Sequence, residues 1–575
     1  MAAGDSFLFE VAPRHDTRAP ARWHGPSRWT AWGYLLPAVL LTAAVLLAPL
    51  AATLVTSVTR APVGADYQQV LTDRDVWVAL LHNAVWLALA LVVCGVGLGL
   101  AWLARDAGPR TRRLLLVVLG LPTVTSPLTA GVAFRLIFDA DPARGVASAL
   151  LRGGPIMLGT RWIWLVLGLA FVWQWTGLAF LVFHVGLANV PADLLRMARV
   201  LGAGMLRRLR TVVLPALFPT AALVMLVVLT AAARVFDLVL IGAPGSVQAE
   251  VDVVGLFWWR HRDDLGDGRA SALAILLTAL AVAVVTLVLW RLRRDWPEAV
   301  RPQEGGRAPA PGQPRWAVRL ISAVVTVVWA FPFVTLLLTS WRSPDAAATS
   351  GWWTGGYGPG SYGEAFADGA FADALGATAQ RALLVSVLVV LLAVPAAYAL
   401  TPGQLPRRTR RGVAAVAVVL AVLPPQVLAV PLGTALGTWL GSTVILSLVH
   451  AALVLPLGVL LLRNAFMSVP RPVVLRPLAQ GRSAMFQMTA ESGPAVVTVA
   501  VLAFVLAWND LVMGLLLSWP AADQAPLVLL QQARQFATSA GALAAQGVVL
   551  TAVPVLLLAA TGRWLVKGLT QGVRR

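Results

Sequence analysis

Charged residues and cysteine are both scarce in this 575-residue chain. Charged residues make up 12% of it and hydrophobic residues 58%, whereas a soluble globular domain has roughly 25% and 45–50%. This composition indicates a membrane protein and argues against a soluble domain. The single cysteine, Cys94, lies in an apolar stretch. With no second thiol in the chain, it can form neither an internal disulfide nor a cysteine metal site, and we interpret it as a small core residue.

Motifs for nucleotide hydrolysis and for metal binding are missing as well. A P-loop needs the pattern G-x-x-x-x-G-K-[ST], and the only lysine, Lys567, lies in GRWLVKG, which does not fit. The histidines are scattered along the chain, at His15, His24, His82, His184, His261 and His450. We therefore expect a chain that is not an enzyme, needs no cofactor or metal, and does not hydrolyse ATP itself.

Long apolar runs are what the chain does have. A helix needs about 20 residues to cross the hydrocarbon core of a bilayer. The sequence predicts twelve such spans, at residues 32–56, 78–104, 113–137, 162–187, 216–241, 269–291, 317–340, 382–401, 412–435, 441–462, 495–518 and 544–566. The first run follows about 28 polar residues and is too long for a cleavable signal. The predicted fold class is an all-α integral membrane protein.

A Pro-, Gly- and Arg-rich segment separates the first six spans from the second six. Such a composition does not form a packed core, so residues 293–315 are predicted to be a linker. In each half, a Val-Pro pair after the fourth span is followed by a glycine at the same spacing, first at Pro191 and Gly202 and then at Pro470 and Gly481. This repeat indicates two tandem six-helix bundles. The predicted boundaries are 1–29 for a cytosolic tail, 30–292 for the first transmembrane domain, 293–315 for the linker and 316–575 for the second transmembrane domain.

The net charge of +19 comes from arginines that cluster in alternate loops. Loops 105–113, 188–215 and 402–411 are strongly basic, whereas loops 57–77, 138–161 and 242–268 are not. Cytosolic loops carry the positive excess, so both termini and the linker are predicted to be cytosolic. The basic charge is thus explained by membrane topology, and no nucleic-acid partner is expected.

The first basic loop after a fourth span reads VPADLLRMARVLGAGMLRRLRTVVLPALFP, residues 190–219. It resembles a cytosolic loop of the binding-protein-dependent ABC importer permeases, in the carbohydrate-uptake class of the maltose and glycerol-phosphate type. In that family Glu-Ala-Ala, three residues and Gly lie between an Ile-Pro and a Leu-Pro. Here Arg196, Met197 and Ala198 occupy the Glu-Ala-Ala positions, and Gly202 and Ala203 match the Gly-Ala. Segments 63–89, 331–341, 395–400 and 504–517 also resemble parts of this family.

The resemblance implies a permease that couples to partners. They are two cytosolic ATP-binding cassette subunits and an external solute-binding protein, at the inner membrane of a bacterium. Met197, Val200 and Leu201 form an apolar helical face that fits a groove on such an ATPase. The alternative is an ordinary helix at the lipid interface. The second-half loop keeps Gly481, but it is about four residues shorter and prolines interrupt it. We therefore expect the first loop to carry most of the coupling.

Polar side chains inside the spans are candidates for the transport pathway. The candidates are Gln174, Asp237, Asn509 and Asp510. Arg234 lies three residues before Asp237, which on a continuous helix places both on one face, so the two could simply form a pair. Asn509 and Asp510 are predicted at the equivalent height in the second half. For each candidate a structural role competes with contact to solute, and Trp173 and Trp175 beside Gln174 also fit an interfacial belt.

The predicted function is the membrane-spanning part of an ABC importer for a sugar or polyol, driven by ATP hydrolysis on the partner subunits. Two alternatives remain open from the sequence. One is a fused permease for another solute, such as ferric iron or thiamine. The other is a twelve-helix secondary transporter. The loop ARDAGPRTRR (104–113) faintly resembles the acidic-basic loop of the major facilitator class of such transporters, but few buried acids are visible in the sequence.

Overall fold

A computed structural model of the chain describes residues 28–59, 62–142, 144–151, 156–188, 190, 196–198, 200–294, 315–349, 356–469, 483–517, 524–534 and 540–570. Within these ranges the regular secondary structure is helical, and the single β-bridge pairs Arg342 with Tyr357. The prediction of an all-α membrane protein is confirmed.

The helices of the first half follow the predicted spans closely. They run over Arg28–Thr42, Ala43–Leu47 (π-helical), Ala48–Thr59, Ala65–Thr72, Arg74–Asp106, Pro109–Val124, Pro127–Phe138, Val146–Leu150, Ile163–Ala188, Met205–Arg208, Leu209–Val213 (π-helical), Leu214–Ala233, Asp237–Gly242, Gly245–Val251 (3-10) and Val254–Arg294. The last of these contains a kink at Gly266, whose φ is 65°. The kink divides it into a short helix, Val254–Leu265, and the sixth span.

The helices of the second half repeat this pattern. They run over Arg315–Ser340, Pro344–Thr349, Gly360–Ala365, Ala370–Ala399, Arg407–Ala421, Gln426–Leu436, Gly437–Gly441 (3-10), Thr443–Met467, Ala484–Glu491, Gly493–Trp508, Val512–Leu517, Ala525–Arg534 and Ala540–Thr570.

By length and composition, eight helices of the described residues can cross a membrane alone, and four bent pairs raise the number to twelve. The third and fifth spans of each half are the bent ones. The bends are 106° between Pro109–Val124 and Pro127–Phe138, 66° between Leu209–Phe218 and Thr220–Ala233, 92° between Arg407–Ala421 and Gln426–Leu436, and 75° between Ala484–Glu491 and Gly493–Trp508. Because straight and bent spans come in the same order in both halves, the structure supports the predicted tandem repeat.

Burial follows the same repeat. Among the eight unbent spans, the fourth span of each half has the largest buried share, 61% for Ile163–Ala188 and 67% for Thr443–Met467. The first span of each half has the smallest, 22% for both Trp29–Thr59 and Trp316–Ser340. The fourth spans are therefore the central helices, and the first spans leave most of their apolar surface to lipid.

By contacts, the described residues fall into two units that differ from the two halves of the sequence. One unit takes its residues from 1–55, 378–508 and 557–575, and the other from 56–377 and 509–556. The first span of each half therefore belongs to a unit built largely from the other half. The sequence boundaries at 30–292 and 316–575 describe the repeat, and they stay a prediction.

We call these two first spans, one from each half, the exchanged spans. Specific contacts hold each of them in its unit. In the first unit, the Thr53 hydroxyl donates to the Val427 carbonyl at 2.6 Å, and the rings of Tyr34 and Tyr398 meet edge to face at 5.9 Å. In the second unit, the span Trp316–Ser340 packs against both helices of the first half's bent third span. Neither half thus contains all of its own packing partners.

Candidate functional site

The bent third span of the first half exposes backbone carbonyls inside the helical bundle. Ser126 and Pro127 cause the bend, because Pro127 lacks an N–H and the Ser126 hydroxyl caps a new helix by accepting from the Thr129 N–H at 3.0 Å. The carbonyls of Val124 and Thr125 stand just before this new start and lose their helical partners. They need hydrogen-bond donors from elsewhere in the fold.

Two of the predicted pathway residues supply those donors. The Gln174 amide donates to the Thr125 carbonyl at 3.0 Å, and the Asn509 amide donates to the Val124 carbonyl at 3.0 Å. Gln174 comes from the fourth span of the first half and Asn509 from the end of the fifth span of the second half. The structure thus brings these two candidates together at one break.

Gln174 uses its Nε2 for this bond, and its Oε1 can accept a further hydrogen bond. Gln174 is only 4% exposed, and its Oε1 has no hydrogen-bond partner among the described residues. The fourth span comes this close to the third at Gly177, where a side chain would collide with the Leu119 carbonyl. A buried, unpaired amide oxygen is uncommon in proteins and is an acceptor that a polar solute can use.

The fifth span of the first half ends earlier than predicted. Its helix stops at Ala233, Arg234 and Phe236 leave helical geometry, and a new helix starts at Asp237. The predicted continuous span 216–241 is therefore wrong at this point, and so is the placement of Arg234 and Asp237 on one helical face. No Gly or Pro lies in residues 227–241, so the sequence itself gives no sign of the break.

Arg234 and Asp237 lie near each other without forming an ion pair in the described part of the chain. The Arg234 guanidinium interacts electrostatically with both Asp510 and Asp237, and the interaction with Asp510 is the stronger one. The Asp237 Oδ1 atom is buried with no hydrogen-bond partner there. The Arg234 guanidinium therefore lies near two acidic side chains, and one oxygen atom of Asp237 is free to bind another group.

The two carboxylates occupy matching places in the repeat. Asp237 and Asp510 each begin a run of Asp-Leu-Val, and each precedes or opens a short helix, Asp237–Gly242 in one half and Val512–Leu517 in the other. The Asp510 carboxylate accepts from the Met513 N–H at 2.9 Å and so caps its helix. Part of the role of Asp510 is therefore structural.

The predicted coupling loop is described only in part. Gly202 has a φ of 72°, the left-handed region that a turn between helices requires. The Ala203 N–H donates to the Ala198 carbonyl at 2.9 Å, and the Leu201 N–H to the Met197 carbonyl at 3.0 Å. Met197 is 61% exposed, Val200 87% and Leu201 76%, so the apolar face is open, and Arg196 is exposed as well. Gly481 lies outside the described residues.

Asn83 in the second span is a residue that the sequence interpretation missed. It is fully buried; its Oδ1 accepts from the Val254 N–H at 2.9 Å and its Nδ2 donates to the Ala233 carbonyl at 3.3 Å. Ala233 is the last helical residue before the fifth-span break. An amide side chain inside an apolar run is the sequence feature by which Asn83 could have been identified.

A second set of polar groups lies just before the short helix Val254–Leu265. Asp252 forms an ion pair with Arg260, and the His82 ring bonds the Asp252 carbonyl through Nδ1 at 2.7 Å. Burial raises the pKa of the Asp252 carboxyl to about 6, against the lowering effect of Arg260 and His261. No group of three or more metal-ligating side chains occurs within the residues described.

Eight to twelve candidate spans in two repeated halves, with polar groups at the breaks of the bent spans, are what a multi-pass membrane transport protein requires. Comparison with known proteins agrees. Residues 92–294 match the family of the binding-protein-dependent transport system inner membrane component. The match spans about a third of the chain and shows that this part is similar to the permease components of ABC importers, which are not themselves enzymes.

Three relatives illustrate the match. A probable ABC transporter permease protein of Pyrococcus horikoshii is 28% identical over 300 residues, which cover 46% of this chain and 98% of that one. An osmoprotective compounds uptake permease protein of Synechocystis is 27% identical, covering 44% and 89%. A trehalose transport system permease protein of Mycobacterium tuberculosis is 29% identical, covering 33% and 72%. Because less than half of this chain accounts for nearly all of the first relative, the chain has about two permease lengths.

Proposed function

We propose that this chain forms the entire membrane-spanning channel of an importer for a sugar or polyol. In this proposal, an external binding protein delivers the solute, and two cytosolic ATP-binding subunits drive its passage. The membrane is the cytoplasmic membrane of a bacterium, with both termini and the linker on the cytosolic side. The basic loops support that orientation.

The observation that carries the proposal is the group of unpaired polar atoms at the helix breaks. Gln174 Oε1 and Asp237 Oδ1 are buried acceptors without partners among the described residues. Sugar hydroxyls are hydrogen-bond donors that match such acceptors. We therefore assign Gln174, Asp237, Asn509 and Asp510 to the lining of the pathway, with Asn509 and Asp510 also stabilising local backbone.

Two of the relatives support a polar organic solute. The permeases named for trehalose and for osmoprotective compounds both align with this chain. One guanidinium, two acidic side chains and two amides at these breaks offer both donors and acceptors to a polyhydroxylated solute. A permease for another kind of solute is the competing proposal, and the same uptake experiment distinguishes the two.

The exposed apolar face of the first coupling loop supports an ATP-binding partner. Large apolar side chains exposed in a basic, membrane-adjacent loop are costly unless another protein covers them. Met197, Val200 and Leu201 supply this anchor, and Gly202 turns the chain behind it. We propose that this loop occupies a groove on one ATP-binding subunit.

Uptake of radiolabelled trehalose by cells that express the complex tests the proposal. Asp237→Asn keeps the side-chain size but weakens an acceptor, so we expect the KM for uptake to rise about tenfold, as loss of a charged hydrogen bond of about 1.5–3 kcal/mol implies. Asp263→Asn is the matched control, because the Asp263 side chain is 84% exposed. Uptake that continues after ATP depletion contradicts the ATP-driven mechanism. Absence of trehalose uptake, with uptake of an unrelated charged solute, contradicts the sugar assignment.

A further inference from the structure

Asn83 joins two parts of the first half that are far apart in sequence. Its Oδ1 accepts a hydrogen bond from the Val254 N–H, at the start of the helix formed by residues 254–265. Its Nδ2 donates to the Ala233 carbonyl, at the end of the fifth-span helix. The Asn83 side chain has no exposed surface. Both bonds are therefore shielded from water, where an amide that loses its partner has no substitute.

The Ala233 carbonyl has a special position. In an uninterrupted helix it would accept from the N–H of Asp237, but the break at Arg234–Phe236 removes that bond. Asn83 replaces the missing donor. The break is therefore maintained from the second span, by a side chain outside the broken helix.

Side-chain contacts join the helix formed by residues 254–265 to the residues just before it and just after it. Arg260 pairs with Asp252 just before the helix, and His82 bonds the Asp252 carbonyl. The Trp258 indole donates to the Ala270 carbonyl at 2.8 Å across the Gly266 kink. Displacing this segment would move Val254 relative to Asn83.

We propose that Asn83 is a positioning residue that transmits displacement of the segment Asp252–Leu265 to the fifth-span break, where Arg234 and Asp237 lie. If Val254 moves, Asn83 either follows it and pulls on Ala233, or leaves a buried N–H unpaired. Its importance for transport rests on the proposed function, since that function places Asp237 in the pathway. The coupling itself requires no solute and no partner.

A labelling experiment on the full chain tests this coupling. The chain carries Cys94→Ser and a reporter cysteine, Val235→Cys, in the break; Val235 is 7% exposed. It is reconstituted in liposomes of phosphatidylethanolamine and phosphatidylglycerol, and the rate of reaction with N-ethylmaleimide is measured. Arg260→Ala loosens the segment by removing the ion pair with Asp252. Arg262→Ala is the matched control, because Arg262 stacks on Trp259 at 3.7 Å and bonds the Trp259 carbonyl within the same helix.

Each variant is then combined with a change at position 83. With Asn83 present, we expect Arg260→Ala to raise the labelling rate about threefold or more, and Arg262→Ala to leave it unchanged. In Asn83→Leu and in the smaller Asn83→Ala, each of which loses both bonds, Arg260→Ala should have no further effect. A residue that only stabilises the fold would give additive effects.

Three results would overturn the proposal. They are an equal effect of Arg260→Ala with and without the Asn83 side chain, no effect of Arg260→Ala in the presence of Asn83, and an equal effect of Arg262→Ala. Asn83→Ala keeps the test valid if Asn83→Leu does not fold. Because the measurement uses neither ATP nor solute, its failure is distinct from failure of the importer proposal.

Discussion

Trp173 and Trp329 donate their indole N–H groups to each other's backbone carbonyls, at 3.0 Å and 3.2 Å. Trp173 belongs to the central fourth span of the first half, and Trp329 to the first span of the second half. The pair therefore fixes the height and rotation of the exchanged span. It also explains Trp173 better than an interfacial aromatic belt does, because Trp173 is only 5% exposed.

Removing either indole donor should weaken this attachment. Trp329→Phe and Trp173→Phe each lose one interhelical bond, worth about 0.6–1.7 kcal/mol in a membrane protein. Thermal unfolding of the detergent-solubilised chain should show a lower Tm for both. Trp77→Phe is the control, since Trp77 donates only to the nearby Leu71 carbonyl and is 54% exposed. An equal loss for Trp77→Phe would show that the pair has no special role.

Exchange of the first spans predicts that the two halves depend on each other. We expect fragments 1–304 and 305–575, expressed together, to co-purify through a tag on one of them. Each fragment expressed alone should be degraded or aggregate, because its first span lacks the helices that bury it. Recovery of a folded, monodisperse single fragment would contradict the exchange.

The sequence was sufficient to locate the spans but not to show their shape. Hydropathy identifies an apolar run whether it is straight or bent, since a bent pair contains the same residues. Ser126–Pro127 and Pro424–Pro425 were available signs of the third-span bends. Residues 234–236 offered no such sign, and the Asn83 amide that bonds the Ala233 carbonyl beside this break comes from a distant part of the sequence.

For the candidate site, too, the sequence identified residues but not their contacts. The rule that polar residues inside spans mark function selected Gln174 and Asn509, which the structure places at one break, and their role in the pathway stays a prediction. It gave no indication that their amides bind consecutive carbonyls, since that depends on the tertiary fold. The same rule applied to Asn83 would have found the residue that bridges Ala233 and Val254.

Acid should change the stability contributed by Asp252. Its pKa is raised from 3.8 to about 6 by burial, so the folded state binds a proton more tightly than the unfolded state. The stabilisation is then greatest below about pH 4 and is lost as the pH rises through 6. Charged and titratable groups facing this carboxyl are Arg260, His261 and Asp75.

Comparison with Asp252→Asn isolates this effect. Between pH 4 and pH 6.5, the Tm of the unsubstituted chain should fall relative to that of the variant. A difference in Tm that stays constant, or that rises with pH, would show that the carboxyl is not shifted upward.

The turn at Gly202 predicts a specific failure of coupling. Its φ of 72° disfavours any side chain, at a cost of about 1–2 kcal/mol, and open space around it excludes a steric explanation. Gly202→Val should lower solute-stimulated ATP hydrolysis of the complex about tenfold while membrane insertion stays normal. Gly204→Val is the matched control, because Gly204 has open space and no positive φ. Equal activities of the two variants would exclude a role for the turn.

The same assay addresses the second-half loop. The first loop keeps its full length and an exposed apolar face, whereas prolines interrupt the shorter second loop. We expect Gly202→Pro to abolish stimulated ATP hydrolysis and Gly481→Pro to reduce it only in part. Equal loss from both would show that the second loop couples fully.

The number of copies of this chain in the assembled transporter tests the central claim most directly. The tagged chain is purified with its partners from a native membrane, and the intact complex is weighed by native mass spectrometry. One chain supplies both six-helix bundles, so the predicted mass corresponds to one copy with two ATP-binding subunits. A complex that contains two copies of the chain would contradict a channel formed by one polypeptide.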